Sequence, residues 1–230
     1  MVSPSLIGTE LSTGMRLDLE EFLARWEALP GLKNAELIEG VVYVSSPVSN
    51  DHGIHEAILT FWASLYAEDT PGCSVGSNAT CKMVRQSPQP DVHLRLTEDF
   101  GGNSNLSEGL ITGALELVAE ICVTSREIDF GPKLALYQGA GVREYITVET
   151  LQPRIVWRVL VDGSYREIQP DGEGILRSQS FPGLWLDTAG FWAWDRGRMH
   201  ETLNLGLDSS AHREFVEYLK RQSKESERKS

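Results

Sequence analysis

Apolar residues recur along this chain with two different periods. One period is typical of amphipathic helices, and the other is typical of strands. Residues 51–67 repeat apolar side chains at helical spacing, whereas residues 114–123 (ALELVAEICV) alternate with a period of two. The other helices are predicted at residues 18–28, 129–138 and 208–220, and the other strands at residues 36–44, 73–84, 91–96 and 142–149. This order predicts an α/β fold.

The last third of the chain changes to short strands and turns. Residues 154–161 and 164–169 flank Asp162-Gly163, a dipeptide that favours the type I′ turn of a β-hairpin. Further short strands are predicted at residues 175–179 and 183–187, and residues 101–109 (GGNSNLSEG) have the composition of a mobile loop. An aromatic cluster follows, formed by Trp185, Phe191, Trp192 and Trp194, and predicts either core or the face of a homodimer.

Length and composition indicate one elaborated domain. The chain has 230 residues, 41% of them hydrophobic and 23% charged, which is ordinary for a globular protein. We predict a flexible lead-in (1–14), a single domain (15–219) and a polar tail (220–230). Within the domain, the predicted core covers residues 50–150 and a C-terminal β-hairpin extension covers residues 151–207.

Cysteine usage and hydropathy exclude several classes of protein. No apolar stretch approaches the roughly 20 residues of a membrane span, and the first residues lack the pattern of a signal peptide. The three cysteines include no Cys-x-x-Cys pair, which favours reduced thiols over a disulfide framework or a structural zinc site. We therefore expect a cytoplasmic protein without a membrane partner.

Two acidic residues stand out against this background. Asp91 follows Pro90 and opens a short strand, and Glu120 lies in the middle of an otherwise apolar strand. If the two strands are neighbours in register, both carboxylates lie side by side on one face of the sheet. Two such carboxylates repel each other unless a cation lies between them, and a buried carboxylate without a partner is costly. The pattern therefore predicts a metal site.

Several short motifs follow one another in order over about residues 22–194. They are residues 36–40 (ELIEG), 46–49 (SPVS), His52, 90–92 (PDV), 120–125 (EICVTS), Asp129, Lys133, Tyr137, 141–142 (GV), 144–145 (EY) and 181–184 (FPGL). Together these motifs resemble the PD-(D/E)xK nuclease superfamily, and more closely the Uma2 family of restriction-type endonucleases.

The resemblance implies a restriction-endonuclease-like mixed sheet flanked by helices, and Mg²⁺-dependent hydrolysis of DNA, with Mn²⁺ as a substitute ion. It implies that Asp91, Glu120 and the backbone carbonyl of Ile121 hold the metal. Cys122 stands where the superfamily has its catalytic lysine. The Uma2 pattern is similar in placing that lysine on the following helix, which assigns the role to Lys133.

Four further residues are candidates with two open readings each. Glu36, a candidate catalytic residue, either completes the metal shell or caps the sheet edge. His52 either contacts substrate phosphate or caps a helix. Ser125 and Arg126 follow the strand of Glu120, where they either bind a phosphate or remain solvated.

Charge and chemistry leave competing functions open. The net charge of −12 opposes tight nonspecific binding of DNA, and residues 1–219 carry −15 because the tail has five basic and two acidic residues. A catalytically inactive nuclease fold that binds nucleic acid or protein is the main alternative. Two others are a glycosidase that uses Asp91 and Glu120, and a nucleophilic hydrolase that pairs Cys122 with His93.

Overall fold

The computed structural model describes residues 10–32, 34–45 and 48–227. The helices are α1 (Leu19–Glu27), α2 (Asn50–Asp69), α3 (Arg126–Asp129), α4 (Pro132–Ala140), α5 (Thr188–Trp192), α6 (Arg196–Leu207) and α7 (Ser210–Glu227). The strands are β1 (Ala35–Ile38), β2 (Val41–Val44), β3 (Cys73–Gly76), β4 (Cys81–Lys82), β5 (Val92–Leu96), β6 (Ser104–Ser107), β7 (Leu110–Gly113), β8 (Leu117–Cys122), β9 (Glu144–Glu149), β10 (Arg154–Val161), β11 (Ser164–Ile168), β12 (Ile175–Arg177) and β13 (Trp185–Asp187).

A six-stranded mixed sheet with the order β11-β10-β9-β8-β5-β3 forms the centre of the fold. β8 and β9 are parallel, and the other neighbours in this sheet are antiparallel. Both parallel strands are buried along their whole length, as expected for strands that are covered on both faces. The predicted α/β class with a mixed sheet is therefore confirmed.

The pairing of β5 with β8 decides where the two candidate carboxylates lie. Val92 is opposite Ala119, so the same antiparallel register brings Asp91 opposite Glu120. On the other side, Glu120 is opposite Thr147 of β9. The expectation that Asp91 and Glu120 are neighbours on adjacent strands is confirmed.

Both faces of this sheet are packed against helices. Ile58 and Trp62 of α2 belong to the same apolar core as Ala119 of β8. On the opposite face, Val118 packs in a second core with Tyr137 of α4. The central strands are thus held rigidly from both sides, which gives the polar groups at their ends a stable platform.

One buried glutamate links the C-terminal part to the sheet. The carboxylate of Glu144 accepts hydrogen bonds from Trp157 Nε1 (2.7 Å), Ser178 Oγ (3.0 Å) and the backbone N–H groups of Gln179 (2.8 Å) and Ser180 (2.5 Å). Burial raises the pKa of Glu144, while these hydrogen bonds act in the opposite direction. The side chain thus organises the segment after residue 177.

Two segments predicted from pattern have a different structure. Residues 36–44 form a hairpin of β1 and β2 instead of one strand, because Glu39 (φ 52°) and Gly40 (φ 73°) make a tight turn. Residues 101–109 are not a loop throughout, since β6 pairs with β7 through a turn at Glu108 and Gly109. In both, glycine takes the second left-handed position of the turn.

Helical boundaries also differ from those predicted. The helix expected at residues 129–138 is divided into α3 and α4, because Pro132 begins α4 and cannot continue the preceding helix. Residues 151–187 of the predicted β extension contain strands, but α5 and α6 follow them. The last helix continues seven residues past Lys220, to Glu227. The predicted hairpin across Asp162-Gly163 is confirmed.

Most of the aromatic cluster belongs to the core. Phe191 is fully buried, and the rings of Phe191, Trp192 and Trp194 surround His55 at 5.4, 5.4 and 6.2 Å between centroids. Trp194 is the member that is 50% exposed. The apolar area from which a homodimer was inferred is therefore largely used within the chain, and the homodimer stays a prediction.

Some expectations fall partly or wholly on residues that the structure does not describe. These are residues 1–9 of the lead-in, Ser46 and Pro47 of the SPVS motif, and residues 228–230 of the tail. The described part of the lead-in contacts the domain: Leu11 is buried, and Gly14 donates a backbone hydrogen bond to Val42 (2.9 Å). None of the helices in the described ranges has the length and apolar character needed to cross a bilayer.

Candidate active site

A cleft of about 480 Å³ opens where β5 and β8 meet α2, α3 and α4. Seven of the eight residues singled out from the sequence line it, namely Glu36, His52, Asp91, Glu120, Ile121, Ser125 and Lys133. Arg126 is the exception and lies outside the lining. Residues up to 97 positions apart in the chain thus meet in one place.

Asp91 is held from two sides. Its Oδ2 atom accepts a hydrogen bond from the backbone N–H of Ile121 (2.6 Å) and lies 3.2 Å from His52 Nε2. His52 occupies the first turn of α2, whose N-terminus is capped by Ser49. The hydrogen bond to Asp91 raises the pKa of His52, although burial opposes the rise. Among the described residues, no hydrogen bond is formed to the second oxygen of Asp91.

Lys133 is buried at the start of α4 and points at three carboxylates. Its Nζ atom lies 2.9 Å from Glu120 Oε2, 3.0 Å from Glu36 Oε1 and 4.0 Å from Asp129 Oδ1. Burial and the helix dipole both disfavour a cation at this place. The three carboxylates, with Glu120 first, outweigh burial and raise the pKa of Lys133 well above its usual value. The lysine is therefore charged.

Glu120 is fixed by two side chains from one face of α4. Tyr137, one turn after Lys133, donates its hydroxyl to Glu120 Oε1 (2.6 Å), while Lys133 occupies Oε2. Burial raises the pKa of Glu120, and the positive charge of Lys133 counteracts the rise. The sequence singled out Tyr137 as part of the family resemblance and assigned it no role. Its i, i+4 spacing from Lys133 was the available signal.

Asp129 is a second residue whose contribution the sequence left open. It is 1% exposed, lines the cleft, and accepts a short hydrogen bond from Ser125 Oγ. Its backbone carbonyl accepts a hydrogen bond from Tyr145 (2.8 Å). Burial raises the pKa of Asp129, with Lys133 opposing the rise. Asp129 is thus a buried, hydrogen-bonded part of the site.

The alternative with a cysteine nucleophile is not supported by the geometry. Cys122 is 2% exposed, and burial, with Asp129 nearby, raises the pKa of its thiol to about 12. His93 lies outside the cleft lining, and burial, together with the charge of Arg95, lowers the pKa of His93 to about 4. A thiol that does not ionise and a histidine outside the cleft do not form a nucleophilic pair.

Comparison with known protein families agrees with this arrangement. The sequence model of Uma2, described as "Putative restriction endonuclease", matches residues 19–189. This chain belongs to the Uma2 family. The matched segment contains all seven cleft residues identified from the sequence.

The Uma2 fold also occurs in a solved structure. The crystal structure of "a putative nuclease belonging to DUF820" from Anabaena variabilis superimposes with a TM-score of 0.60 at 13% identity, and the match covers 77% of this chain and 98% of the other. At this identity the likeness concerns the fold. No curated protein matches the sequence.

The residues of this Uma2 cleft suit a divalent cation by charge and by chemistry. Among the residues that the structure describes, the lining carries four carboxylates, from Glu36, Asp91, Glu120 and Asp129, and one permanent cation, Lys133. Burial is the main cause of the raised pKa values of Glu120 and Asp129, and repulsion from the neighbouring carboxylates raises both pKa values further. An added positive charge would relieve this repulsion, and carboxylate and carbonyl oxygens are the ligands that Mg²⁺ prefers.

The described residues contain no group of three or more histidine, cysteine, aspartate or glutamate side chains placed to hold an ion by themselves. The predicted ligand set has only two carboxylates and the Ile121 carbonyl. Mg²⁺ commonly keeps several waters and binds proteins through one or two carboxylates. The small number of side-chain ligands therefore fits that ion.

Proposed function

We propose that this Uma2 protein is a metal-dependent endonuclease that hydrolyses phosphodiester bonds of DNA, with Mg²⁺ as its ion and Mn²⁺ as a substitute. The observation that carries the proposal is the convergence of Asp91, Glu120 and Lys133 in one cleft. Family membership over residues 19–189 supports the same class of reaction.

The residues that line or support the cleft have distinct tasks in this proposal. Asp91, Glu120 and the carbonyl of Ile121 would hold the ion, which supplies a Lewis acid and a more acidic bound water. The ammonium group of Lys133 stabilises negative charge that develops on the phosphate, the electrostatic contribution that is commonly largest. Tyr137 keeps the Glu120 carboxylate oriented through its 2.6 Å hydrogen bond.

The surrounding polar groups keep these side chains in the required charge state. Glu36 and Asp129 raise the pKa of Lys133 together with Glu120. His52 contributes a hydrogen bond to Asp91 and restrains its carboxylate. Pre-arranged groups of this kind lower the reorganisation needed during the reaction.

A catalytically inactive fold that binds nucleic acid or protein is the second candidate. Such a protein would be expected to lose a site carboxylate or the lysine, whereas Asp91, Glu120 and Lys133 are all present and in contact with the same cleft. The enzyme is therefore the better-supported reading. A homodimer that presents one site to each DNA strand is a separate prediction, which light scattering over a concentration series tests.

Metal binding is the direct test of the site. Titration calorimetry with Mn²⁺ should show binding to the wild-type protein and none to Asp91→Ala or Glu120→Ala, because each substitution removes a charged oxygen ligand. Circular dichroism establishes that both variants remain folded. Glu201→Ala, an exposed glutamate on α6, serves as the matched control and should bind Mn²⁺ as the wild type does.

If the wild-type protein binds no divalent ion at millimolar concentration, the proposed metal site is wrong, and the proposed metal-dependent nuclease activity is wrong with it. Binding without hydrolysis of DNA, with the same residue dependence, would instead favour the inactive binding module.

Cys122 should be dispensable for cleavage. Lys133 already contacts Glu120, so Cys122→Ser is expected to leave the rate of DNA cleavage within about twofold, the range of a substitution without contact to reacting groups. Plasmid nicking with Mg²⁺ measures this. Loss of activity in Cys122→Ser, combined with full activity in Lys133→Ala, would reverse the two assignments.

A further inference from the structure

Two arginines contact the ring of one phenylalanine, Phe130, which directly follows the cleft residue Asp129. The guanidinium carbon of Arg126 lies 5.0 Å from the centroid of the Phe130 ring, and that of Arg158 lies 4.9 Å from the same ring. Arg158 also lies 5.6 Å from the ring of Tyr145. Cation–π contact of this kind orients both planar groups.

Both guanidinium groups retain most of their hydrogen-bond donors. Arg126 uses Nε for Glu149 Oε1 (2.5 Å), and Arg158 uses Nη1 for Thr147 Oγ1 (3.0 Å). The part of the chain that the structure describes provides no hydrogen-bond acceptor for either Nη atom of Arg126 or for Nη2 of Arg158. The side chain of Arg126 is 61% exposed, so its donors are available to a ligand.

Arg158 lies on the same face of the central sheet as Glu120, and Arg126 lies next to the cleft. Thr147 is opposite Glu120 on one side and opposite Val156 of β10 on the other. Arg158, two residues after Val156, therefore projects from the face of Glu120, and its contact with Thr147 agrees with this. Arg126 directly follows Ser125, which lines the cleft.

We propose that Arg126 and Arg158 form a second anion site, which binds a phosphate of the DNA backbone away from the phosphodiester that is cleaved. This inference rests on the proposed function and extends it to substrate binding. Arginine is suited to the task because its planar fork can give two parallel hydrogen bonds to phosphate oxygens.

The strand order places Arg158 beside the cleft and not in it. Arg158 lies on β10, two strand-to-strand steps from the strand of Glu120, which corresponds to about 10 Å between strand axes. The pair is therefore placed for a phosphate that flanks the cleaved bond and not for the phosphodiester at the carboxylates. The site also offers DNA a local cationic contact on a chain with a net charge of −12.

Comparing a long and a minimal substrate tests the proposal. Full-length wild-type protein and Arg126→Gln are assayed with Mg²⁺ on duplex DNA and on bis(4-nitrophenyl) phosphate, which has no flanking phosphate. We expect Arg126→Gln to raise KM for DNA by about tenfold and to leave hydrolysis of the small diester unchanged, because one charged contact is lost.

Two further variants separate this site from general charge and from packing. Arg166→Gln is the matched control: Arg166 is opposite Val159 on the same hairpin and therefore projects from the other face. It should leave KM for DNA unchanged. Arg158→Lys keeps the positive charge near Phe130 but loses the planar fork, and it should raise KM for DNA less than Arg126→Gln does.

The salt dependence of DNA binding gives a second measurement. The slope of log affinity against log salt concentration should fall in magnitude by about 0.9 in Arg126→Gln, the value for one phosphate contact. Equal effects of Arg126→Gln and Arg166→Gln would overturn the proposal, as would equal loss on DNA and on the small diester. If wild-type protein hydrolyses neither substrate, the proposed function fails first. If it hydrolyses both and Arg126→Gln matches it, only the second site is refuted.

Discussion

Lys133→Met is expected to lower DNA cleavage by about two to three orders of magnitude, the effect of removing one group that stabilises developing charge. The same change should lower the free energy of unfolding of the metal-free protein by about 3 to 5 kcal/mol. The reason is that Glu36, Glu120 and Asp129 would lose the buried ammonium group that balances them. Cleavage rates and urea unfolding in EDTA measure the two effects.

A divalent ion should compensate for the missing lysine in folding but not in catalysis. Mg²⁺ supplies positive charge to the same carboxylates, so it should stabilise Lys133→Met more than wild type, because a ligand that binds the native state raises its stability. Mn²⁺ should also bind the variant more tightly, since Lys133 no longer competes for Glu120 Oε2. Lys82→Met, a lysine of β4 outside the cleft, is the matched control.

If Lys133→Met unfolds at the wild-type urea concentration in EDTA and cleaves DNA normally, the assignment of Lys133 to the reaction is wrong. If Lys133→Met is less stable than wild type and Mg²⁺ does not restore its stability, the carboxylates around Lys133 are not the site that binds the metal.

Glu144→Ala is expected to give the largest loss of stability away from the cleft, about 3 to 4 kcal/mol. Truncation leaves the buried Trp157 indole, the buried Ser178 hydroxyl and two partly buried backbone N–H groups without their acceptor. Urea unfolding measures the change. Glu201→Ala on the surface of α6 should alter the unfolding free energy by less than about 0.5 kcal/mol.

The pH dependence gives Glu144 a second signature. Because the pKa of Glu144 is raised in the folded protein, the native state binds its proton more tightly than the unfolded chain does. The contribution of this group to stability is therefore greatest below the unfolded value and falls as pH rises through the folded value. Compared with Glu144→Gln, the wild type should lose stability as pH rises above about 4.5, near the ordinary value of a glutamate. A difference that stays constant with pH would contradict the assignment.

Local patterns in the sequence were enough to predict the two strands that carry Asp91 and Glu120. The period-two alternation of residues 114–123 indicated a buried strand, and it placed Glu120 on a defined face of that strand. Pro90-Asp91 marked the beginning of a neighbouring strand. Both inferences hold because alternation and turn chemistry act over a few residues and need no information about the rest of the chain.

The family resemblance added a residue from another element, Lys133, to the site predicted from these two strands. It assigned Lys133 a role although Cys122 occupies the usual lysine position, and the structure places Lys133 Nζ 2.9 Å from Glu120. Pattern alone could not decide this, because the direction of Lys133 depends on where Pro132 starts α4. A helix start near Pro132 was expected, whereas the separate helix α3 before it was not predicted.

Tertiary packing decided the contributions of Glu36, Tyr137 and Arg126. Glu36 reaches Lys133 because Leu37 exchanges backbone hydrogen bonds with Ser87, which holds the β1–β2 hairpin against a segment 50 residues later. Tyr137 meets Glu120 because α4 packs across the sheet face. Arg126 turns to Glu149 instead of the cleft, since β9 lies directly beside β8.

The sequence by itself thus determined the α/β class, the order of the main elements and the two carboxylates that define the cleft. Only the tertiary structure decided which charges meet there, which aromatic residues are buried, and that two arginines stack on Phe130. The physical reason is the distance along the chain over which each kind of interaction acts. Backbone preferences and hydrophobic periodicity act between near neighbours, whereas charge pairing and burial depend on contacts between segments that approach each other only after the whole chain has folded.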